Sequence, residues 1–180
     1  MNRTTRCLAF AFAGFMGIAG SAGCGQVKRP DGGSGLLPVG ADAPEVIGRD
    51  AEQHEVRLSA LKGRPVVVYF YPQDGTPGCT KEACAFRDAW TRLEKADVQV
   101  IGVSTNSASS HEDFQKKQHL PFALASDDGK VGDAYGVKKN IWGFDRVSFL
   151  VGRDGKVAHV WPSVDPAVHA DDVVAEASKL

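Results

Sequence analysis

Two cysteines, Cys79 and Cys84, stand in the run Tyr71-Pro72-Gln73-Asp74-Gly75-Thr76-Pro77-Gly78-Cys79-Thr80-Lys81-Glu82-Ala83-Cys84. The run follows an apolar stretch, Val66-Val67-Val68-Tyr69-Phe70, and opens a long helical pattern. Cys79 therefore belongs at or near a helix N-terminus, just beyond the carboxyl end of a strand. Unpaired backbone N–H groups and the positive end of the helix dipole favour an anion there, and the anionic form of cysteine is its nucleophile. The chemistry to expect is attack by sulfur.

The spacing of the pair restricts what the second sulfur can do. On one helix, residues i and i+5 are about 140° apart around the axis and about 7.5 Å apart along it, which separates their Cα atoms by roughly 8–9 Å. A disulfide needs Cα atoms closer than about 7 Å. A bond between Cys79 and Cys84 thus requires the first helical turns to unwind. Three readings stay open on spacing alone: a redox cycle with local unfolding, a passive Cys84 packed beside Phe86 or Trp90, and a static bond.

The elements that must hold this pair can be read around it. Val66–Tyr71 is a nearly continuous apolar run, as for a strand covered on both faces, and Val98–Val103 is a second central strand. A helix is predicted from Pro77 to about Lys95, with Cys84, Phe86, Trp90 and Leu93 mostly at helical spacing and Pro77 tolerated near its start. A further helix runs from Ser107 to His119, followed by the short extended Phe122–Ala125 and a small helix, Lys130–Tyr135, ending at Gly136. Val147–Val151 and Val157–Trp161 flank Asp154-Gly155, a hairpin signal, and Asp165 or Pro166 to Lys179 closes the chain as a helix. Upstream, Val46-Ile47 and His54–Arg57 read as short strands around a turn at Gly48-Arg49-Asp50. The expected fold class is α/β, a central mixed sheet with helices on both faces.

Composition sets the remaining bounds. The 180 residues carry a net charge of −1 and are 43% hydrophobic, which suits one domain with its own core and gives no electrostatic reason for a nucleic-acid partner. Arg3 and Arg6, an apolar stretch from Cys7 to Gly20 and the small residues Ser21-Ala22-Gly23 make a secretory signal over 1–23, too short in its apolar part to span a bilayer. Ala22-Gly23-Cys24 is similar to the end of a bacterial lipoprotein signal, which implies a lipid on Cys24, although Ser21 stands where such signals usually have an aliphatic residue. Residues 24–38, rich in Gly and Pro, read as a flexible tether, and 39–180 as the folded domain. The location implied is extracytoplasmic, in the periplasm or cell envelope. Cys79 and Cys84 are then the only cysteine pair in that domain.

At this point a resemblance becomes specific. Pro72-x3-Thr76-x2-Cys79 is similar to the active-site signature of peroxiredoxins, and Thr76-Pro77-Gly78-Cys79-Thr80-x-Glu82-Ala83-Cys84 resembles the peroxiredoxin Q group, also called bacterioferritin comigratory proteins. Arg146–Val151 resembles the family's Arg-x-Thr/Ser-Phe-Leu strand, and Val164–Ala170 its closing helix, so the likeness spans about Leu36 to Leu180. It implies a thioredoxin-like fold and a thiol-dependent peroxidase acting on hydrogen peroxide and organic hydroperoxides. By the same resemblance Cys79 is peroxidatic and Cys84 resolves it as an intramolecular disulfide. Arg146 stabilises the thiolate and the peroxide oxygens, Thr76 orients the peroxide or caps the helix, and Pro72 shields the sulfur. Glu82 has three candidate roles: holding Arg146, holding Arg87, or complementing the helix N-terminus. Thioredoxin or a similar dithiol is the implied reductant, no metal, flavin or haem is implied, and a monomer is expected. Gly136–Asp145 is shorter than the matching segment of many members, and Trp142 and Phe144 either rim the pocket or pack on the sheet.

Two other classes of function compete. A thioredoxin-fold copper chaperone wants a closer cysteine pair and a third ligand. His111, His119, His159 and His169 lack ligand spacing to the cysteines and read as surface residues. A general disulfide oxidoreductase needs two cysteines separated by two residues, a spacing this chain lacks.

Overall fold

The structure, a computed structural model, describes residues 27–180. The signal expected over 1–23 and the lipid site expected at Cys24 lie outside the described residues.

A seven-stranded mixed sheet forms the centre, in the order β2-β1-β5-β4-β3-β8-β9. Its strands are β1 (Ile47–Arg49), β2 (Glu55–Arg57), β3 (Val66–Phe70), β4 (Gln99–Ser104), β5 (Ala123–Ser126), β8 (Val147–Val151) and β9 (Val157–Trp161). Strands β3, β4 and β5 run parallel, and β8 pairs antiparallel with β3. The five residues of β3 are all buried because both faces of the sheet are covered. Val67 and Tyr69 point into one core with Phe86, Leu93, Phe114 and Val173, from helices α1, α2, α3 and α5. Val66, Val68 and Phe70 point into the other, with Leu37, Tyr135, Phe144 and Phe149. Full burial of each such side chain contributes roughly 1.5–3 kcal/mol.

The helices are α1 (Pro77–Asp88), α2 (Trp90–Lys95), α3 (Ala108–Gln118), α4 (Lys130–Tyr135) and α5 (His169–Ala177). The single helix predicted from Pro77 to about Lys95 is divided at Ala89, whose backbone sits at φ −85°, ψ 0°. Ala89 is fully buried at that bend, where a larger side chain would meet the core. Helix α3 starts at its cap as predicted, with Ser107 accepting from the Ser110 N–H, and stops at the left-handed His119. Helix α5 begins later than predicted because the Asp165 carboxylate accepts from the Ala167 N–H and folds 165–168 into a turn instead.

Three other expectations are corrected. The first turn lies at Asp50–His54, where the Asp50 carboxylate accepts from the N–H groups of Glu52 and His54, and not at 48–50. Gly48 is instead a strand residue, and a Cβ there would sit 2.8 Å from the Leu124 carbonyl oxygen of neighbouring β5. Residues 27–38 are not a tether: Lys28 bridges Ser34, Arg29 donates to the carbonyls of Ser34, Gly35 and Leu36, and Leu37 is buried. The Leu37 N–H donates to the Tyr135 carbonyl at 2.9 Å. Finally, Gly136–Asp145 contains an unpredicted two-stranded hairpin, β6 (Lys139–Asn140) and β7 (Gly143–Phe144).

Candidate active site

The register of the sheet assembles the site. Strand β3 ends at Phe70, and the chain passes through a loop, 71–76, into α1, which carries Cys79 in its first turn. Antiparallel pairing sets Val147 opposite Phe70, so Arg146, the residue before β8, arrives beside the start of α1 although it is 67 positions away from Cys79. The Arg146 Nη2 donates to Cys79 Sγ at 3.3 Å, and Cys79 is 1% exposed. A guanidinium so placed favours a negative sulfur and can donate to oxygens bound in front of it. Gly78 makes room for it, since a Cβ there would lie 3.3 Å from Arg146 Nη2.

Behind Arg146 stands Glu82, wholly buried one turn along α1, and its Oε2 pairs with Arg146 Nη1. Burial pushes the Glu82 carboxyl up to about 7, against the pull of Arg146. For Arg146 burial opposes the charge, but Glu82 and Cys79 outweigh it and hold its pKa above the ordinary value. Of the roles open to Glu82, holding Arg146 is the one observed; Arg87 pairs with Asp88 instead. His169 completes this wall. Its Nε2 lies 2.8 Å from Ser148 Oγ, its ring meets Phe86 edge-on, and burial together with nearby Arg146 brings its pKa down to about 4.

Thr76 occupies the N-cap position of α1, but its side chain makes no cap hydrogen bond; its Oγ1 donates to the Gln73 carbonyl at 3.1 Å. Pro72 is half-buried and its carbonyl presses on Gly143 of β7, where a Cβ would come within 2.0 Å of it. Gly143 also needs its left-handed φ of 112°. Phe144 packs on Phe70 with ring centroids 5.4 Å apart, while Trp142 is exposed at the hairpin tip, so the two aromatics divide between the alternatives.

Cys84 also lies on α1, five residues on, and both thiols are free. It is half-buried, its sulfur 3.6 Å from Gln118 Oε1, and it borders a groove with Lys81, Asp88, Ala167 and Asp171. The intact helix keeps the pair unbridged, as the spacing predicts.

One cluster escaped the sequence reading. Asp74, in the loop before α1, accepts from the Tyr71 hydroxyl at 2.7 Å and from Ser110 Oγ at 2.7 Å, and its Oδ2 lies 2.9 Å from His111 Nδ1. Burial opposes its ionisation, yet these partners hold it below the ordinary carboxylate range. The Asp74 N–H donates to Asn106 Oδ1, which also accepts from Ser104 Oγ at the end of β4. His111 and His169 are therefore buried residues, not surface ones. Among the described residues, the cluster of potential metal ligands is Asp50, Glu52 and His54, in the first turn and without a cysteine.

The family model of the AhpC/TSA family matches residues 39–160. A peroxiredoxin bcp of Coxiella burnetii is 43% identical over 146 residues, covering 77% of this chain and 97% of its own. The chloroplastic peroxiredoxin Q of Oryza sativa subsp. japonica is 46% identical over 130 residues, 71% of this chain and 60% of that protein. Among solved structures, peroxidoxin BcpB from Mycobacterium tuberculosis superposes with a TM-score of 0.73 at 31% identity, covering 80% of this chain and 98% of the other. Peroxiredoxin Q of Xanthomonas campestris gives 0.69 at 34% identity, covering 74% and 90%. The chain belongs to the AhpC/TSA family, and within it to the peroxiredoxin Q or bacterioferritin comigratory group. The thioredoxin-like fold and thiol-dependent peroxidase activity follow from that membership.

Proposed function

We propose that Cys79 is the peroxidatic and Cys84 the resolving cysteine of a monomeric peroxidase held at a membrane by a lipid on Cys24, outside the cytoplasm. The observation that carries the catalytic assignment is Arg146 Nη2 donating to the buried Cys79 sulfur at 3.3 Å. The Cys79 thiolate attacks the terminal oxygen of a hydroperoxide. An S–O bond forms, the O–O bond breaks, and the departing alkoxide or hydroxide takes up a proton, leaving Cys79 as sulfenic acid. Arg146 offsets the negative charge that spreads over both oxygens, and Glu82 keeps its guanidinium in place. Thr76 offers its hydroxyl oxygen to the bound peroxide while its hydrogen serves the Gln73 carbonyl, and Pro72 narrows the approach.

Resolution follows when the first turns of α1 unwind. The Cys84 sulfur then attacks Cys79, forming the disulfide and expelling water. A thioredoxin-like dithiol supplies two electrons and two protons to restore both thiols. Stopped-flow mixing of the reduced protein with hydrogen peroxide tests the roles. Cys79→Ser abolishes the fast reaction, whereas Cys84→Ser reacts once and accumulates sulfenic acid. Peroxide consumption by Cys79→Ser at the native rate rejects the assignment.

A further inference from the structure

The short connection between Cys24 and the folded domain has a geometric consequence for where the domain must sit. Val27 is bonded to Gly35, Gly35 and Leu37 pack on the domain, and only Gly25 and Gln26 separate Cys24 from Val27, a span of at most about 10 Å. A lipid on Cys24 therefore leaves no room for the domain to stand away from the bilayer. The face that meets the bilayer is fixed by where the chain enters. The Val27 carbonyl accepts from the Gly35 N–H, and Gly35 lies against Gly136, where a Cβ would be 1.9 Å from the Gly35 carbonyl oxygen.

Five residues beyond Gly136, within about 17 Å of extended chain, is the tip of the β6–β7 hairpin. It carries Ile141 at 90% exposure and Trp142 at 73%, the two most exposed large apolar side chains of the described residues. Asn140 Oδ1 accepts from the Trp142 N–H at 2.7 Å and shapes the tip, so the apolar pair is presented by a formed turn. Lys138 is exposed just before β6, while the Lys139 ammonium donates to the Asp128 carbonyl at 2.6 Å. A tryptophan and an isoleucine beside a lysine suit the boundary between headgroups and acyl chains, where indole N–H and ammonium groups stay wet while the apolar parts are covered.

We propose that the β6–β7 tip, Ile141 and Trp142, docks into the headgroup layer of an anionic bilayer, with Lys138 against lipid phosphates. The proposal rests on the lipid proposed at Cys24. A protein partner is the less favoured occupant, because a dithiol reductant must reach Cys84, whose groove is lined by residues of α1, α2 and α5 and by none of the hairpin. The tip adjoins Pro72 and Gln73, so docking brings the loop before α1 close to the lipid surface.

The test uses the full chain as processed by its host, reconstituted in vesicles containing phosphatidylglycerol and a brominated phosphatidylcholine. Flotation reads the anchor, and bromine quenching of the emission lost in Trp142→Phe reads the tip separately from Trp90 and Trp161. Expected are flotation with the vesicles and strong quenching of the Trp142 component, which weakens in Ile141→Ser, where Trp142 still emits but the tip has lost its second apolar side chain. Flotation without quenching of Trp142 overturns the docking and leaves the anchor standing. Absence of flotation overturns the anchor, and the docking with it. A Trp142 component blind to bromine but shifted by added reduced thioredoxin marks a protein-binding tip and likewise overturns the proposal.

Discussion

The two cysteines share one helix but live in opposite surroundings. Cys79 is sealed at 1% exposure, with a guanidinium on its sulfur and a buried carboxylate behind that guanidinium. Upstream, the Asp74 carboxylate ties the preceding loop to α3 through Ser110 and His111 and also accepts from Tyr71 of the loop itself. Cys84 is half-buried, its sulfur 3.6 Å from one amide oxygen with the Arg87 guanidinium nearby, and it opens on a groove. The first environment fixes a sulfur for reaction with a small molecule. The second leaves a sulfur free to travel, because weak contacts cost little to break.

Substitutions that strip one side and spare the other should break this contrast. The largest effect is expected for Arg146→Ala, which should slow oxidation of Cys79 by about 100- to 1000-fold in stopped-flow traces, as for loss of a preorganised donor to developing charge. Next comes Asp74→Asn. It leaves His111 and the Tyr71 hydroxyl imperfectly paired in a buried site and should cost about 1–3 kcal/mol in urea unfolding.

The pH dependence of stability sharpens the picture on the Cys79 side. Glu82 has its pKa raised to about 7 in the fold, so its contribution is fully present below its ordinary value near 4.5 and is lost as pH rises through 7. His169 has its pKa lowered to about 4, so its contribution is present above 6.5 and is lost as pH falls toward 4. In the window between, the two contributions tilt stability in opposite directions. Relative to the native chain, Glu82→Gln should gain stability as pH rises from 4.5 to 7, and His169→Gln should gain as pH falls from 6.5 to 4. Urea midpoints measured across this range check both tilts. The smallest effect is expected on the other side: Gln118→Ala should move the unfolding free energy by no more than about 0.5 kcal/mol. A larger loss would mean that Cys84 is held as firmly as its partner.

Much of this site was legible because its parts are local in sequence. Cys79 and Cys84 fall within one stretch whose strand-to-helix patterning is plain, whereas the roles of Thr76 and Pro72 in that stretch came from resemblance. Arg146 was reached through resemblance alone, and antiparallel pairing of β8 with β3 explains why it arrives there. Asp74, Ser110 and His111 were not legible: the contact joins residues 37 positions apart and has no periodic signature. The β6–β7 hairpin escaped because its strands have two residues each, too few for an alternation to register. Gly and Pro made 27–38 read as a tether, although Leu36-Leu37 already offered an apolar pair with somewhere to pack.

Placing both sulfurs on α1 also bears on how the proposed resolving step depends on dilution. A thiol carried on the same dozen residues is present at a fixed effective concentration, however dilute the protein. With the roles proposed above, a lone copy completes the oxidation of its own pair without ever meeting another.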